Sequence, residues 1–154
     1  SPPMPATPDS RRGPETILAF DFGLRRIGVA VGQSVTSSAN PLGVVGNGEN
    51  GPDFDAITKL VEEWRPSRLV VGMPLRADGE PGKMQAHVEE FVRELWRYQL
   101  AVDTVDERYT SVEAEEALKH ARGAGTRGRI TRESIDSAAA VFIAERFLKD
   151  RTNV

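Results

Sequence analysis

Three acidic residues stand where a carboxylate is costly unless it is used. Asp21 closes the apolar run Ile17–Phe20 and precedes a bend of Gly23, Leu24, Arg25 and Arg26, after which Ile27–Val31 return. A carboxylate at the inner end of such a hairpin loses hydration and needs a metal or a cation to stay ionised. Glu107 follows Asp106 at the end of the run Ala101–Val105, and ligands of open α/β sheets bind at the carboxyl ends of strands. Asp136 lies four residues before Ala140 and seven before Ile143, on the apolar stripe of the last helix; i and i+7 differ by only about 20° around the axis. Two of the acids have a plain alternative: an Asx-type turn former at Asp21, a partly solvated residue paired with an arginine at Asp136. Brought together at about 4 Å, two carboxylates repel by about 4 kcal/mol at an effective dielectric near 20. One or two divalent cations would compensate that repulsion. An all-carboxylate shell selects Mg2+ or Mn2+, which activate water and stabilise the leaving oxygen in phosphodiester hydrolysis.

The cationic residues suit a phosphate substrate. Arg122, Arg127, Arg129 and Arg132 punctuate a glycine-containing stretch with no acid between 121 and 132. Such a stretch is either a phosphate clamp beside a metal site or a solvated loop. Arg108 follows Glu107, and Arg25 and Arg26 cross the mouth of the hairpin, so Arg25, Arg26, Arg108, Arg127 and Arg129 are the candidate nucleic-acid contacts. His87 and His120 have charged neighbours and no ligand spacing, which predicts surface positions.

These residues need a scaffold, and the chain has the material for one. It has 154 residues, 39% of them hydrophobic, which is enough for one core without staples. It contains no cysteine, so disulfides and thiolate metal sites are excluded. There is no signal-peptide pattern and no apolar run of bilayer length, which predicts a cytoplasmic protein. A net charge of −3 excludes a generally basic coat protein but allows a local basic surface.

Residues 1–14 are rich in Pro and Ser and read as a disordered tail, with Ser1 suggesting processing; 15–150 read as one domain. A third strand is expected at 40–46, then a glycine-rich loop at 46–52, and Asp53 caps a helix facing inward with Phe54, Ile57, Val61 and Trp64. Pro66 stops it. Residues 69–73 are continuously apolar, as in a central strand. A loop at 74–82 leads to a helix with Met84, Val88, Phe91, Val92 and Leu95 on one face. The strand Ala101–Val105, a capped helix from Thr110 and a final helix from about Thr131 to Lys149 complete the order. Three strands, then alternating helices and strands, predict a mixed five-stranded α/β sheet flanked by helices: an antiparallel hairpin continued by parallel strands, as in the ribonuclease H-like layout.

Two phosphate-motif lookalikes fail on context. Gly46-Asn-Gly48-Glu-Asn-Gly51 fits G-x-G-x-x-G, but the next strand ends in Gly72-Met73-Pro74 where an acid is needed. Gly123-Ala-Gly125-Thr-Arg-Gly128 follows a helix instead of a strand. The Asp21-Phe22-Gly23 triplet lacks the other kinase signatures. An actin-like nucleotide fold would need a second lobe of similar size.

Four blocks in order, DFGLRRIGVAVG, VVGMPLRADGEPG, VDERYTS and IDSAAAVFIAERFL, resemble the YqgF/RuvX family of Holliday-junction-resolvase-like, pre-16S ribosomal RNA processing nucleases. The resemblance spans 15 to about 149 and implies a ribonuclease H-like fold with catalytic, metal-binding carboxylates at Asp21, Glu107 and Asp136. Junction resolvases of this fold commonly use four acids; three match here, with Glu133 and Asp106 nearby. The expected activity is Mg2+- or Mn2+-dependent endonucleolytic cleavage of structured RNA, at the 5′ end of pre-16S rRNA. The alternatives are branched DNA, cut by a homodimer, and a non-catalytic nucleic-acid-binding factor.

Overall fold

The computed structural model describes residues 14–73, 84–106 and 132–152, with the backbone alone at 132–136, 151 and 152. β1 (Thr16–Asp21) and β2 (Arg26–Gln33) form the expected antiparallel hairpin, with Asp21 opposite Gly28 and Phe20 opposite Val29. β3 (Ser38–Gly48) pairs antiparallel with β2, and the short β4 (Gly51–Pro52) pairs antiparallel with β3. β5 (Arg68–Met73) lies parallel to β1 on its other side, and β6 (Ala101–Asp106) parallel to β5.

Among the described residues the sheet has six strands, ordered β4-β3-β2-β1-β5-β6, and not five. The sixth, β4, comes from the segment expected to be a glycine-rich loop. β3 runs on to Gly48, and Asn47 pairs with Pro52 and Gly48 with Gly51, closing a tight hairpin around Glu49 and Asn50. Gly51 adopts φ +88°, which an L side chain rarely takes, so a glycine permits the return. The G-x-G-x-x-G match is therefore part of a β-hairpin and forms no helix N-terminus.

Strand alternation divides the core. Leu18, Phe20, Ile27, Val29, Val31, Leu69 and Val71 face one layer, made by α1 (Phe54–Trp64) and α2 (Gln85–Leu95). Asp53 caps α1 by accepting from the Ala56 N–H at 3.1 Å, and Arg65, in the left-handed region, ends it before Pro66. Ile57 of α1 and Val88, Phe91 and Leu95 of α2 are buried, as their spacing predicts, and His87 is exposed. The other sheet face carries Ile17, Ala19, Val70 and Val105, covered by Ile143, Ala144, Phe147 and Leu148 of α3 (Arg132–Thr152). Gly32 permits this close approach. A Cβ there would meet Ile17 Cγ1 at 3.1 Å, Leu148 Cδ1 at 3.2 Å and Ala144 Cβ at 3.3 Å.

β2 and β3 carry a bulge. Val29 opposes Gly43 but Ala30 opposes Pro41, so Leu42 is the extra residue. Pro41 pairs with Ala30 beside the bulge, on a stretch of β3 that has β2 on one side only, the edge and bulge setting in which strands tolerate proline. The expected helix from Thr110 and the loop at 74–82 lie outside the described residues. Among those described, no helix is long and apolar enough to cross a membrane.

Candidate active site

Asp21 is the last residue of β1, and period two sets its face. Ile17 and Ala19 pack under α3, whereas Leu18 and Phe20 belong to the opposite layer. Asp21 continues the first series, so it lies half-buried on the α3 side. Phe22 is drawn the other way, its ring 5.1 Å from that of Phe91. Phe91 also meets Phe20 edge-on at 5.6 Å, so the same aromatic cluster fixes the backbone on both sides of Asp21. The cross-strand partner of Asp21 is Gly28, which has no side chain to fill the adjoining space on that face.

The turn after Asp21 is tightly determined. A Cβ on Gly23 would come within 2.6 Å of the Arg26 carbonyl oxygen, so only glycine fits without moving backbone. Asn47, 7% exposed, donates from Nδ2 to the Gly23 carbonyl at 2.6 Å, and its backbone N–H donates to the Arg25 carbonyl at 3.0 Å. Leu24 and Arg25 project from this clamped turn as exposed residues, and Arg26 is half-buried at the start of β2.

α3 runs antiparallel to β1. Ala144 and Leu148 lie over Gly32 and Ile17 at the start of the hairpin, while Ser137 reaches Val29 and Gly43 near its far end. Eight residues of helix separate Ala144 from Asp136, about 12 Å. Four residues of strand separate Ile17 from Asp21, about 13 Å. The backbone of residue 136 therefore comes level with Asp21. Ser137 gives the same result independently, because Val29 pairs with Phe20, one row from the Asp21–Gly28 row. The stripe positions Ala140 and Ile143, both wholly buried, follow Asp136 in the helix as the sequence predicted.

Glu107 lies outside the described residues, one position beyond Asp106. β6 is parallel to β1 and β5, so Asp21, Met73 and Asp106 all end strands at one edge of the sheet. Val105 packs on the α3 side and Val102 on the opposite one, which gives Asp106 the opposite face from Asp21. That alternation separates Asp106 from Asp21 as a fourth acid. Arg108, Arg127 and Arg129 also lie outside the described residues. Among those described, no three Asp, Glu, His or Cys side chains gather into a metal site; of the three expected acids, Asp21 alone has its side chain described. The donor chemistry still suits a hard divalent ion, since Asp21 is a carboxylate at the strand edge facing the helix that carries Asp136.

Two residues that local sequence pattern does not single out also shape this region. Asn47 and Ser137 are the buried polar side chains among the described residues, and both bond to backbone near Asp21. A signal existed for Ser137, a hydroxyl among the small residues of IDSAAA. Asn47 was hidden in a segment whose glycines read as a loop.

Comparison with known proteins gives the family and the fold. The RuvX family, described as Holliday junction resolvase, matches residues 15–150. The chain belongs to the RuvX family. Relatives named "Putative pre-16S rRNA nuclease" include one from Hahella chejuensis, 43% identical over 135 residues, covering 87% of this chain and 84% of the relative. Another, from Azotobacter vinelandii, is 43% identical over 141 residues, covering 90% and 96%. The fold also resembles RuvC from T. thermophilus, solved with a Holliday junction substrate, at a TM-score of 0.57 and 14% identity over 91% of this chain and 97% of that one. Membership of the RuvX family makes the chain a nuclease-type hydrolase, and the RuvC likeness supports the ribonuclease H-like fold.

Proposed function

We propose that this RuvX chain is a divalent-metal-dependent endonuclease acting on structured RNA, cutting at the 5′ end of the pre-16S rRNA precursor, with Asp21, Glu107 and Asp136 as its metal-binding carboxylates. One observation carries the reading most: Asp21 closes β1 on the α3 side, with the backbone of residue 136 level with it. An ion of Mg2+ or Mn2+ bound there would lower the pKa of a water nucleophile and stabilise the leaving phosphate-ester oxygen. The chain's own residues do the rest. Asp21 holds position because its neighbours Phe20 and Phe22 both pack on Phe91. Arg25 and Arg26 lie on the clamped turn beside Asp21, where a guanidinium can pair with the phosphate backbone. Arg108, Arg127 and Arg129 extend the same role. The name shared by the relatives favours precursor ribosomal RNA.

Cleavage of labelled precursor rRNA, linear RNA, linear DNA and four-way DNA junctions, with Mg2+, Mn2+ or chelator, tests this. Metal-dependent cutting of the precursor, lost in Asp21→Asn and Asp136→Asn, is expected. Binding with no cutting under any metal would replace it with a non-catalytic factor. The second reading is a branched-DNA resolvase, favoured by the family description and by the junction-bound RuvC of similar fold. It requires a homodimer to cut two strands symmetrically, so junction preference together with a dimer by light scattering would select it.

A further inference from the structure

We propose that Ser137 is a positioning residue: its hydroxyl, seated at the β2–β3 bulge, sets the height of α3 and so keeps the backbone of residue 136 level with Asp21. The inference rests on the carboxylate-site reading above. Ser137 Oγ accepts from the Gly43 N–H at 3.3 Å and donates to the Val29 carbonyl at 3.5 Å. Val29 and Gly43 are cross-strand partners at the register shift, so one hydroxyl bridges two strands where the bulge opens their ladder.

Three features make this seat specific. Ser137 is 5% exposed, and a buried hydroxyl needs partners, which the sheet backbone supplies. Gly43 has φ +103° and open space where a Cβ would be, so glycine is present for its backbone conformation and not for lack of room. The seat also lies one row from the Asp21–Gly28 pair, while Asp136 is the residue immediately before Ser137. The apolar contacts of Ala144, Phe147 and Leu148 hold the other half of α3. Apolar packing is non-directional, whereas a hydroxyl between a donor and an acceptor favours one height. Loss of the bridge would loosen the seating of the N-terminal turns of α3 on the sheet, while Ala140 and Ile143 stay buried.

The test compares wild type with Ser137→Ala, Asp136→Asn and Arg68→Met. Arg68 ties β5 to Glu15 and Asp103 and lies over the Phe147 ring, so its loss weakens the opposite end of α3. Mn2+ affinity is measured by calorimetry, cleavage as separate kcat and KM, and Gly43 amide exchange by NMR in metal-free protein. Ser137→Ala is expected to weaken Mn2+ binding about ten-fold, the scale of lost outer-shell support. It should lower kcat with KM unchanged and speed Gly43 exchange, while Arg68→Met lowers the melting temperature but keeps Mn2+ affinity. Unchanged Mn2+ affinity and kcat in Ser137→Ala, beside a defect in Asp136→Asn, would overturn the positioning role alone. An equal loss of affinity in Arg68→Met would also overturn it, since general loosening of α3 would then suffice. Wild-type affinity in Asp136→Asn would overturn the site reading itself and the positioning role with it.

Discussion

Asn47 donates its buried side-chain amide to the Gly23 carbonyl at 2.6 Å, tying the end of β3 to the turn that follows Asp21. Truncation leaves the carbonyl of a tight turn without this partner. Asn47→Ala should therefore destabilise the chain by about 1–3 kcal/mol. Urea unfolding measures this, and faster amide exchange at Arg26 and Asn47 would localise it to the turn.

Gly23→Ala makes a sharper test of the same turn. Its Cβ would stand 2.6 Å from the Arg26 carbonyl oxygen, a backbone atom that moves only if the hairpin opens. A cost of about 1–3 kcal/mol is expected for such overpacking. Thermal melting reads the stability loss, and nucleic-acid binding should weaken because Arg25 and Arg26 shift with the turn.

Phe91 joins the rings of Phe20, Phe22 and Phe54. Phe91→Ala should cost about 3–5 kcal/mol, the range for emptying a buried aromatic site. Phe91→Leu should cost less, and comparison of their denaturation midpoints checks the order.

Arg25→Ala and Arg26→Ala should weaken RNA binding and flatten its dependence on salt, by about one unit of slope for each phosphate that is no longer neutralised. Fluorescence anisotropy across a salt series measures both. An unchanged slope would remove these arginines from the interface.

Partial desolvation raises the carboxyl of Glu145, a residue on the exposed side of α3, above its ordinary range, because it penalises the charged form. The folded chain then binds this proton more tightly than the unfolded chain. Stability consequently falls as pH rises from the ordinary glutamate pKa of about 4.3 to the raised value in the fold. Glu145→Gln lacks that penalty, so its melting temperature relative to wild type should increase across the window.

Much of this architecture was legible in the chain. Period-two alternation in β1 and β2, the continuous apolar run of β5 and the helical spacing of Val88, Phe91 and Leu95 follow from which faces must leave water, and the structure has them so. Asp21 stood out for the same reason, as an acid ending an apolar strand. The four motif blocks also carried the family, because they preserve types and order along the chain. Local pattern could not show that Gly48 and Gly51 pair across a tight turn, since glycines mark loops and hairpin bends alike. Nor could it show that Ser137 meets Gly43, 94 residues away, at a bulge defined by register, or that Asn47 reaches back to the turn of another hairpin. The sequence alone determined the faces and the candidate acids, because burial periodicity and residue chemistry are local properties. Tertiary structure decided the height of α3 against β1 and the partners of Asn47 and Ser137, because those depend on where distant backbone donors and acceptors meet.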